Sequence, residues 1–490
     1  MKRLLLTLAM ATLACERASA PVDEPVEDSV APEEPLALPP HLDARVDEYV
    51  AQWGSGWPAF RFHGEIGVSV HGRVVVERAY GYRDLAEQVS HDEGDAAFRI
   101  GTLSAHVTIA TALALVQRRV LSLDDRVDRW VPDRGVPHSL TLEHLLTHTS
   151  GLPSFTDDLV FPRVKHLPRT HEELVGTFAG HPLEFEPGTD FAPSNANSVL
   201  LALAIERATG RFYEDVAREH VLDPLDMDRT AWGSMAGEAI GLVFDEAGHL
   251  ERPGPVDPRA FGASGGWIST TADLHRLYGA LATERFGGER MHLRWFGANP
   301  HERPYALVET TIEGRTGYMW LGLIDGFNSA VIVVPDDALV VTVLGNSEVV
   351  PAGDVATDVA RIVYGSEVPP RVEPRPAPIA AAELERTIGE WVITRGSEDA
   401  LLDEVDPDTF DMLRHVVTMA DASGLSLGIP NHGRKRMHPR SPGRFFFMDG
   451  PQSTARLERG ATPGRDVLVL ARDGNEVRYV RAPARIVKAR

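Results

Sequence analysis

Residues 142–153 read LEHLLTHTSGLP, an apolar run with two histidines that ends in a Ser-Gly turn. Thr141 stands directly before this run, and a threonine hydroxyl can cap a helix, so we expect a short helix to begin here. His144 and His148 are four residues apart, a spacing that can bind zinc, but no acidic third ligand follows at a useful distance. Ser150 is most simply a turn residue. The segment therefore predicts a helix and a turn rather than a metal site.

Helices are predicted on both sides of this segment. Residues 107–120 form a long apolar stretch without Gly or Pro, which is typical of a buried helix. Residues 197–209 form another helical stretch, and Gly210 directly after them is a C-terminal cap signal.

Strands are predicted further out in both directions. Residues 66–77 consist of two β-rich runs around a His-Gly turn, which predicts a hairpin. Residues 329–335 and 339–344 predict two more strands. Because the strands lie at both ends with helices between them, we expect one sheet built from distant segments.

The segment 142–153, preceded by Leu123-Asp124-Asp125, resembles the signature of the β-lactamase-related serine hydrolases, which are similar to class C β-lactamases, D-alanyl-D-alanine carboxypeptidases and lipolytic esterases. The resemblance extends over about residues 57–346. The other matching segments are Gly81-Tyr82, Phe98-Arg99-Ile100-Gly101, Pro187-Gly188-Thr189, Pro224-Leu225-Asp226-Met227, Gly265-Gly266-Trp267-Ile268-Ser269-Thr270 and Gly326-Phe327. It implies an α+β fold of the β-lactamase/penicillin-binding-protein type, with an antiparallel sheet flanked by helices, a helical subdomain, and an active site between them.

The family's nucleophilic serine and the lysine three residues later correspond to Thr102 and Ala105. In the family the serine attacks a carbonyl carbon, and the lysine takes its proton or holds the charge of the site. The methyl group of a threonine crowds that attack, and an alanine accepts no proton. No other lysine easily replaces the missing one, since the chain has only Lys2, Lys165, Lys435 and Lys488.

The two remaining catalytic motifs of the family are also altered. The resemblance places its Tyr-x-Asn at Pro193 and Asn195, and its Lys- or His-x-Gly at Trp320 and Gly322. Proline has no titratable group, and an indole donates one hydrogen bond but carries no charge. The replacements together predict the loss of nucleophile activation, proton relay and carboxylate anchor, which costs many orders of magnitude in rate.

Three other patterns need a chemical reading. His106 lies four residues after Thr102, so on one helical face it could serve as a general base, although packing against the helix is the simpler role. Residues 262–266 fit Gly-x-Ser-x-Gly, but no strand precedes them, which indicates a structural turn. Arg315-Thr316-Gly317 imitates the edge-strand motif but lies too early relative to Gly326-Phe327.

The N-terminus predicts export. Residues 1–20 have the basic start and short apolar run of a signal peptide. Cys15, the only cysteine, resembles a lipobox cysteine and would be lipidated; the alternative is ordinary cleavage after Ala18-Ser19-Ala20. Residues 21–40 form an acidic, Pro-rich linker. We expect a periplasmic protein, an outer-membrane-tethered lipoprotein, or a secreted protein.

The chain divides at a second Pro-rich stretch, residues 369–378. We expect a β-lactamase-related domain over residues 41–368 and a small all-β domain over residues 380–490, as a barrel or sandwich. The resembled family often carries a lipocalin-like module in this place, and this region is loosely similar to one.

The net charge of −22 argues against nucleic-acid binding, which needs a cationic face. Two functions remain open. In the first, the protein is a pseudoenzyme whose cleft binds a peptide, a peptidoglycan fragment or a partner protein, with the membrane reached through a lipid anchor. In the second, it is a hydrolase or esterase that uses Thr102 with His106. Neither function calls for a metal or a cofactor.

Overall fold

The computed structural model describes residues 36–368, except for residues 55–60, 92–95, 133–134, 159, 245–249 and 350. Towards the C-terminus it describes residues 380–394, 397, 415–421, 424–428, 434–436, 438–441, 444–446, 454–459, 466–472 and 475–481. The predicted signal peptide, Cys15, the linker up to residue 35 and the second Pro-rich stretch lie outside these residues. Within them, no helix is both long and apolar enough to span a bilayer.

The N-terminal body is built on a six-stranded antiparallel sheet with the strand order β10-β11-β12-β13-β1-β2. The strands of the body are β1 (Gly64–Val70), β2 (Arg73–Tyr80), β3 (Tyr82–Asp84), β4 (Val89–Ser90), β5 (Phe98–Arg99), β6 (Ala231–Trp232), β7 (Val243–Phe244), β8 (Leu250–Glu251), β9 (Trp267–Ser269), β10 (Val308–Ile312), β11 (Arg315–Ile324), β12 (Phe327–Val334) and β13 (Leu339–Gly345). β12 and β13 are buried along their whole length because helices cover both faces, which explains their continuous apolar sequence.

The helices of the body are α1 (Leu42–Val50), α2 (Ser104–Gln117), α3 (Leu142–Leu146), α4 (Phe161–Val164), α5 (His171–Phe178), α6 (Asn195–Thr209), α7 (Tyr213–Ala217), α8 (Thr271–Ala282), α9 (Glu289–Trp295) and α10 (Ala352–Val363). α1 and α10 share one apolar core with one face of the sheet. α2 and α8 belong to the core on the other face, which continues into the helical subdomain. The antiparallel sheet, the flanking helices and the helical subdomain confirm the predicted fold class.

The predicted elements are present, with small shifts at their ends. The predicted hairpin is formed by β1 and β2, and the turn residue His71 has a φ of 50°. α2 begins at Ser104, three residues earlier than predicted, and a 3₁₀ turn at Gly101–Leu103 precedes it. α6 ends where predicted, and Gly210 closes it with a φ of 69°.

The C-terminal region forms a separate curved antiparallel sheet with the order β17-β16-β15-β14-β22-β21-β20-β19-β18. A short helix, α11 (Ala381–Thr387), precedes its strands, which are β14 (Gly389–Ile393), β15 (His415–Asp421), β16 (Gly424–Gly428), β17 (Arg434–Arg436), β18 (His438–Ser441), β19 (Arg444–Phe446), β20 (Thr454–Glu458), β21 (Val467–Arg472) and β22 (Asn475–Arg481). Trp391, Phe445 and Tyr479 lie in its core. The sheet is a half-barrel, so of the two expected forms the barrel type is the nearer one.

Candidate active site

The turn that carries Thr102 lies directly against the C-terminal half of β11. A Cβ atom on Gly101, whose φ is 52°, would come within 2.6 Å of the backbone nitrogen of Leu323. A Cβ atom on Gly322 would come within 2.1 Å of the carbonyl oxygen of Ile100. Two glycines therefore allow the turn and the strand to touch, and the structure brings Thr102 and Gly322 together as the resemblance implies.

The hydroxyl of Thr102 is already engaged. It donates a hydrogen bond to the carbonyl oxygen of Leu321 over 2.6 Å. A backbone carbonyl accepts a hydrogen bond but does not remove the proton, so this contact leaves the hydroxyl unactivated. Ala105 lies in the first turn of α2, is 4% exposed, and offers only a methyl group. The site thus has an alcohol at the nucleophile position and no base at the lysine position.

Trp320 is the residue that the resemblance places at the position of the family's cationic or imidazole side chain. Its indole is 5% exposed and stacks on the ring of His148, with the centroids 5.7 Å apart and the planes at 19°. Its Nε1 has no hydrogen-bond partner in the part of the chain that the structure describes. The side chain therefore fills space with an uncharged ring and supplies no charge for a substrate carboxylate.

Pro193 and Asn195, which the resemblance places at the Tyr-x-Asn positions, make, among the described residues, no contact of the kind that the family's mechanism uses. Pro193 is exposed and has no proton to give. Asn195 begins α6, and its side-chain Nδ2 donates to the Thr156 hydroxyl over 2.8 Å. Its backbone N–H donates to the Ser154 hydroxyl over 3.3 Å. The amide group of Asn195 is thus committed to the neighbouring loop.

His106 does not reach the hydroxyl of Thr102, and this corrects the expectation of a Thr102–His106 pair. Its Nε2 donates to the carbonyl oxygen of Ala306 over 2.8 Å, so its Nδ1 accepts from the Tyr278 hydroxyl over 2.6 Å. Complete burial lowers the pKa of His106 to about 4. The helical spacing misled because Thr102 lies in the 3₁₀ turn, two residues before the α-helix begins at Ser104.

His144 and His148 serve separate parts of the fold. His144 Nδ1 accepts the backbone N–H of Thr141 over 3.1 Å at the start of α3. His148 lies beyond the end of that helix with a φ of 53°, and its Nδ1 accepts from Asn197 Nδ2 over 2.6 Å. Burial lowers the pKa of His148 to about 4. Among the described residues, no group of three or more His, Cys, Asp or Glu side chains could hold a metal ion.

The Gly-x-Ser-x-Gly pattern at residues 262–266 and the pattern at residues 315–317 do not contribute to the site around Thr102. Residues 258–264 form a 3₁₀ segment, and the Ser264 hydroxyl donates to the Phe261 carbonyl oxygen over 2.6 Å, with only 1% of the residue exposed. Arg315 lies at the start of β11 and pairs with Asp337 over 2.7 Å. Residues 320–322, and not residues 315–317, therefore lie beside Thr102.

Sequence reasoning missed an ion pair close to the cleft. Lys165, just after α4, binds Asp325, which lies in the turn between β11 and β12. The contact ties the helical subdomain to the strand that carries Trp320. The two residues are 160 positions apart, so no local pattern could have revealed it. The pairing also shows that Lys165 does not stand in for the lysine missing at position 105.

Comparison with known proteins also relates this chain to the β-lactamase family. The family model "Beta-lactamase" matches residues 61–364, more than half of the chain. Penicillin-binding protein 4* of Bacillus subtilis is 30% identical over 35% of this chain and 38% of its own length. Esterase EstB of Burkholderia gladioli is 31% identical over 39% of this chain and 51% of its own length. The chain thus spans between about a third and about half of these two relatives.

Solved structures share the fold. The octameric penicillin-binding protein homologue from Pyrococcus abyssi superimposes with a TM-score of 0.59 over 89% of this chain and 99% of its own. Its sequence identity to this chain is 19%, so the likeness concerns architecture.

Proposed function

The chain belongs to the β-lactamase family, and from that premise we propose that it is a member which does not hydrolyse a substrate and acts by binding. The observation that carries the proposal is the state of the nucleophile position. The Thr102 hydroxyl donates to a backbone carbonyl, and the residue at the lysine position is a buried alanine. Acyl transfer needs a nucleophile that can lose its proton, and the described surroundings of Thr102 give it a carbonyl that accepts a hydrogen bond but no base that removes the proton.

Two further features support a binding role. Trp320 replaces a charge with a large ring at the floor of the cleft, and Pro193 removes the proton relay. Leu323, next to Gly322, leaves 41% of its surface exposed. We propose a peptide, a peptidoglycan fragment or a partner protein as the ligand, with Leu323 as one of its contacts.

Turnover should be tested first. The purified protein is incubated with a chromogenic β-lactam, a short-chain aryl ester and a fluorophosphonate probe, and compared with Thr102→Ala. The expected result is no turnover and no labelling in either protein. Thr316→Ala, an exposed threonine on β11, is the matched control. Turnover or labelling that disappears in Thr102→Ala but persists in Thr316→Ala would overturn the proposal and make Thr102 a nucleophile.

Binding should be tested separately. Co-sedimentation with isolated peptidoglycan and crosslinking to envelope proteins measure the two classes of partner. The Leu323→Glu variant should lower retention, because it places a charge beside the cleft. The Leu293→Glu variant, at an exposed leucine on α9, should not. Equal retention of both variants and wild type would argue against the cleft as the binding surface.

We further propose that the protein works in the cell envelope through acylation of Cys15. Metabolic labelling with a fatty acid should mark the wild-type protein and leave Cys15→Ala unmarked. An unmarked wild-type protein that starts after Ala20 would instead support ordinary signal-peptide cleavage.

A further inference from the structure

A cavity of about 520 Å³ lies near the opposite edge of the central sheet from Thr102. Tyr80 at the end of β2 lines it, and Tyr80 shares one row of the sheet with Leu323 on β11. Four strand spacings of about 4.8 Å separate the two residues, or roughly 19 Å. The cavity is therefore distinct from the cleft that contains Thr102 and Trp320.

Aromatic side chains form the walls of this cavity. Trp53, after the end of α1, and Phe62 are buried, at 5% and 2% exposed, so the rings that the cavity presents are mainly those of Tyr80 and Tyr82, which are partly exposed. The rings of Phe62 and Tyr80 meet edge to face with their centroids 6.0 Å apart. Tyr82 also lines the cavity, and its backbone N–H donates to His63 Nδ1 over 2.9 Å. These contacts fix the walls in place, so an apolar ligand would meet a formed surface.

Some polar groups of the cavity have hydrogen-bond or ion-pair partners among the described residues, and others have none. Asp47 accepts from the Tyr80 hydroxyl over 2.7 Å and lies 3.5 Å from the Arg78 guanidinium. Arg61 has no ion pair with any residue that the structure describes. The hydroxyls of Tyr82 and Ser90 likewise have no hydrogen-bond partner within the described residues. Among the described residues, the cavity thus offers the positive charge of the exposed Arg61 without an ion pair, and the hydroxyls of Tyr82 and Ser90 without a hydrogen-bond partner.

We propose that this cavity binds a small aromatic monocarboxylate, with the carboxylate on Arg61 and the ring against Tyr80 and Tyr82. A guanidinium presents a planar pair of donors that matches a carboxylate, and aromatic walls favour a ring. One cation balances one negative charge, and Asp47 repels a second, so a phosphate dianion is disfavoured. The volume lies in the range of about 300–1,000 Å³ that small-molecule sites occupy. The inference goes beyond the proposed function and holds whether or not the cleft hydrolyses anything.

Calorimetric titration of the purified full chain tests the proposal with indole-3-acetate and 3-phenylpropionate. Each should bind at one saturable site, and uncharged indole-3-acetamide should bind at least about tenfold more weakly. Arg61→Gln should weaken carboxylate binding by at least about tenfold. Arg163→Gln, at another exposed arginine without an ion pair among the described residues, should leave it unchanged.

Three results would overturn the proposal. The first is the absence of saturable binding of both carboxylates by the wild-type protein, and the second is equal affinity in wild type and Arg61→Gln. The third is affinity that is lost in Trp320→Ala but kept in Arg61→Gln, because that would put the ligand in the cleft. A failure of this kind leaves the turnover result of Thr102→Ala untouched, so the two proposals fail separately.

Discussion

The loop at residues 147–150 and the catalytic positions around Thr102 meet at Trp320, yet they differ in the hydrogen bonds that their side chains make. In the loop, the Thr147 and Thr149 hydroxyls are 2.8 Å apart, and Ser150 donates to Asn197 Oδ1 over 2.5 Å. At the catalytic positions, Ala105 and Pro193 carry no hydrogen-bonding side-chain group at all.

The difference has a physical reason. The polar side chains of the loop are buried, and a buried polar group that loses its partner costs about 1–3 kcal/mol. The fold itself therefore requires these side chains. A catalytic lysine or tyrosine serves a substrate, so its replacement by alanine or proline leaves no buried partner behind. The fold can thus require a family signature independently of the side chains at the catalytic positions.

The largest expected loss of stability is at Trp320, where the loop and the catalytic positions meet. Trp320→Ala removes a buried ring that stacks on His148, and we expect the free energy of unfolding to fall by about 3–5 kcal/mol. Urea denaturation measures this loss. Trp320→Phe is the control, because it keeps an aromatic ring and gives up an N–H that has no partner among the described residues. Similar losses in both variants would mean that the ring stack is not what matters.

The second prediction concerns pH and the loop histidine. The folded pKa of His148 is about 4, below its usual value of about 6.5, so the unfolded chain binds more protons between these values. Its contribution to stability is therefore present above about pH 6.5 and is lost as the pH falls towards 4, with a slope of up to about 1.4 kcal/mol per pH unit. His148→Gln should show a shallower fall than the wild type in urea denaturation over this window. Parallel curves would contradict the assignment.

The third prediction separates two asparagines. Asn197→Ala removes the partner of both Ser150 and His148 and should cost about 2 kcal/mol of unfolding free energy. Asn195→Ala, its matched control at a family catalytic position, loses only half-buried contacts and should cost at most about 1 kcal/mol. Thermal unfolding of both variants measures the difference. A larger loss in Asn195→Ala would reverse the comparison drawn above.

The smallest expected effect is at the nucleophile position. Thr102→Val removes the hydroxyl that donates to Leu321 but keeps the branched shape, and it should cost about 1 kcal/mol. Thr102→Ser keeps the donor and should cost less. Denaturant midpoints of both variants test this order, and an unchanged midpoint in Thr102→Val would show that the hydrogen bond contributes nothing.

Much of the fold follows from the sequence because its determinants are local. The apolar stretch at residues 107–120 and the cap at Gly210 predict helices without reference to the rest of the chain. The resemblance of the neighbouring segments to the β-lactamase family likewise implies that Thr102 and Gly322 meet. The sequence left a Thr102–His106 pair open beside a packing role for His106, because four residues define a common face only within an α-helix, and Thr102 precedes one. The Lys165–Asp325 pair depends on how distant segments pack.

The two outer strands of the C-terminal sheet, β17 and β18, stand at opposite ends of its order but are separated by a single residue in the chain. Consecutive Cα atoms are about 3.8 Å apart, so the end of one edge and the start of the other lie within about 7.6 Å. Both edges are also short, at three and four residues. An unpaired edge invites strands from other molecules, and short edges tethered to each other offer little length for such pairing. We therefore expect the short, closely spaced ends of β17 and β18 to limit pairing of this sheet with strands of other molecules.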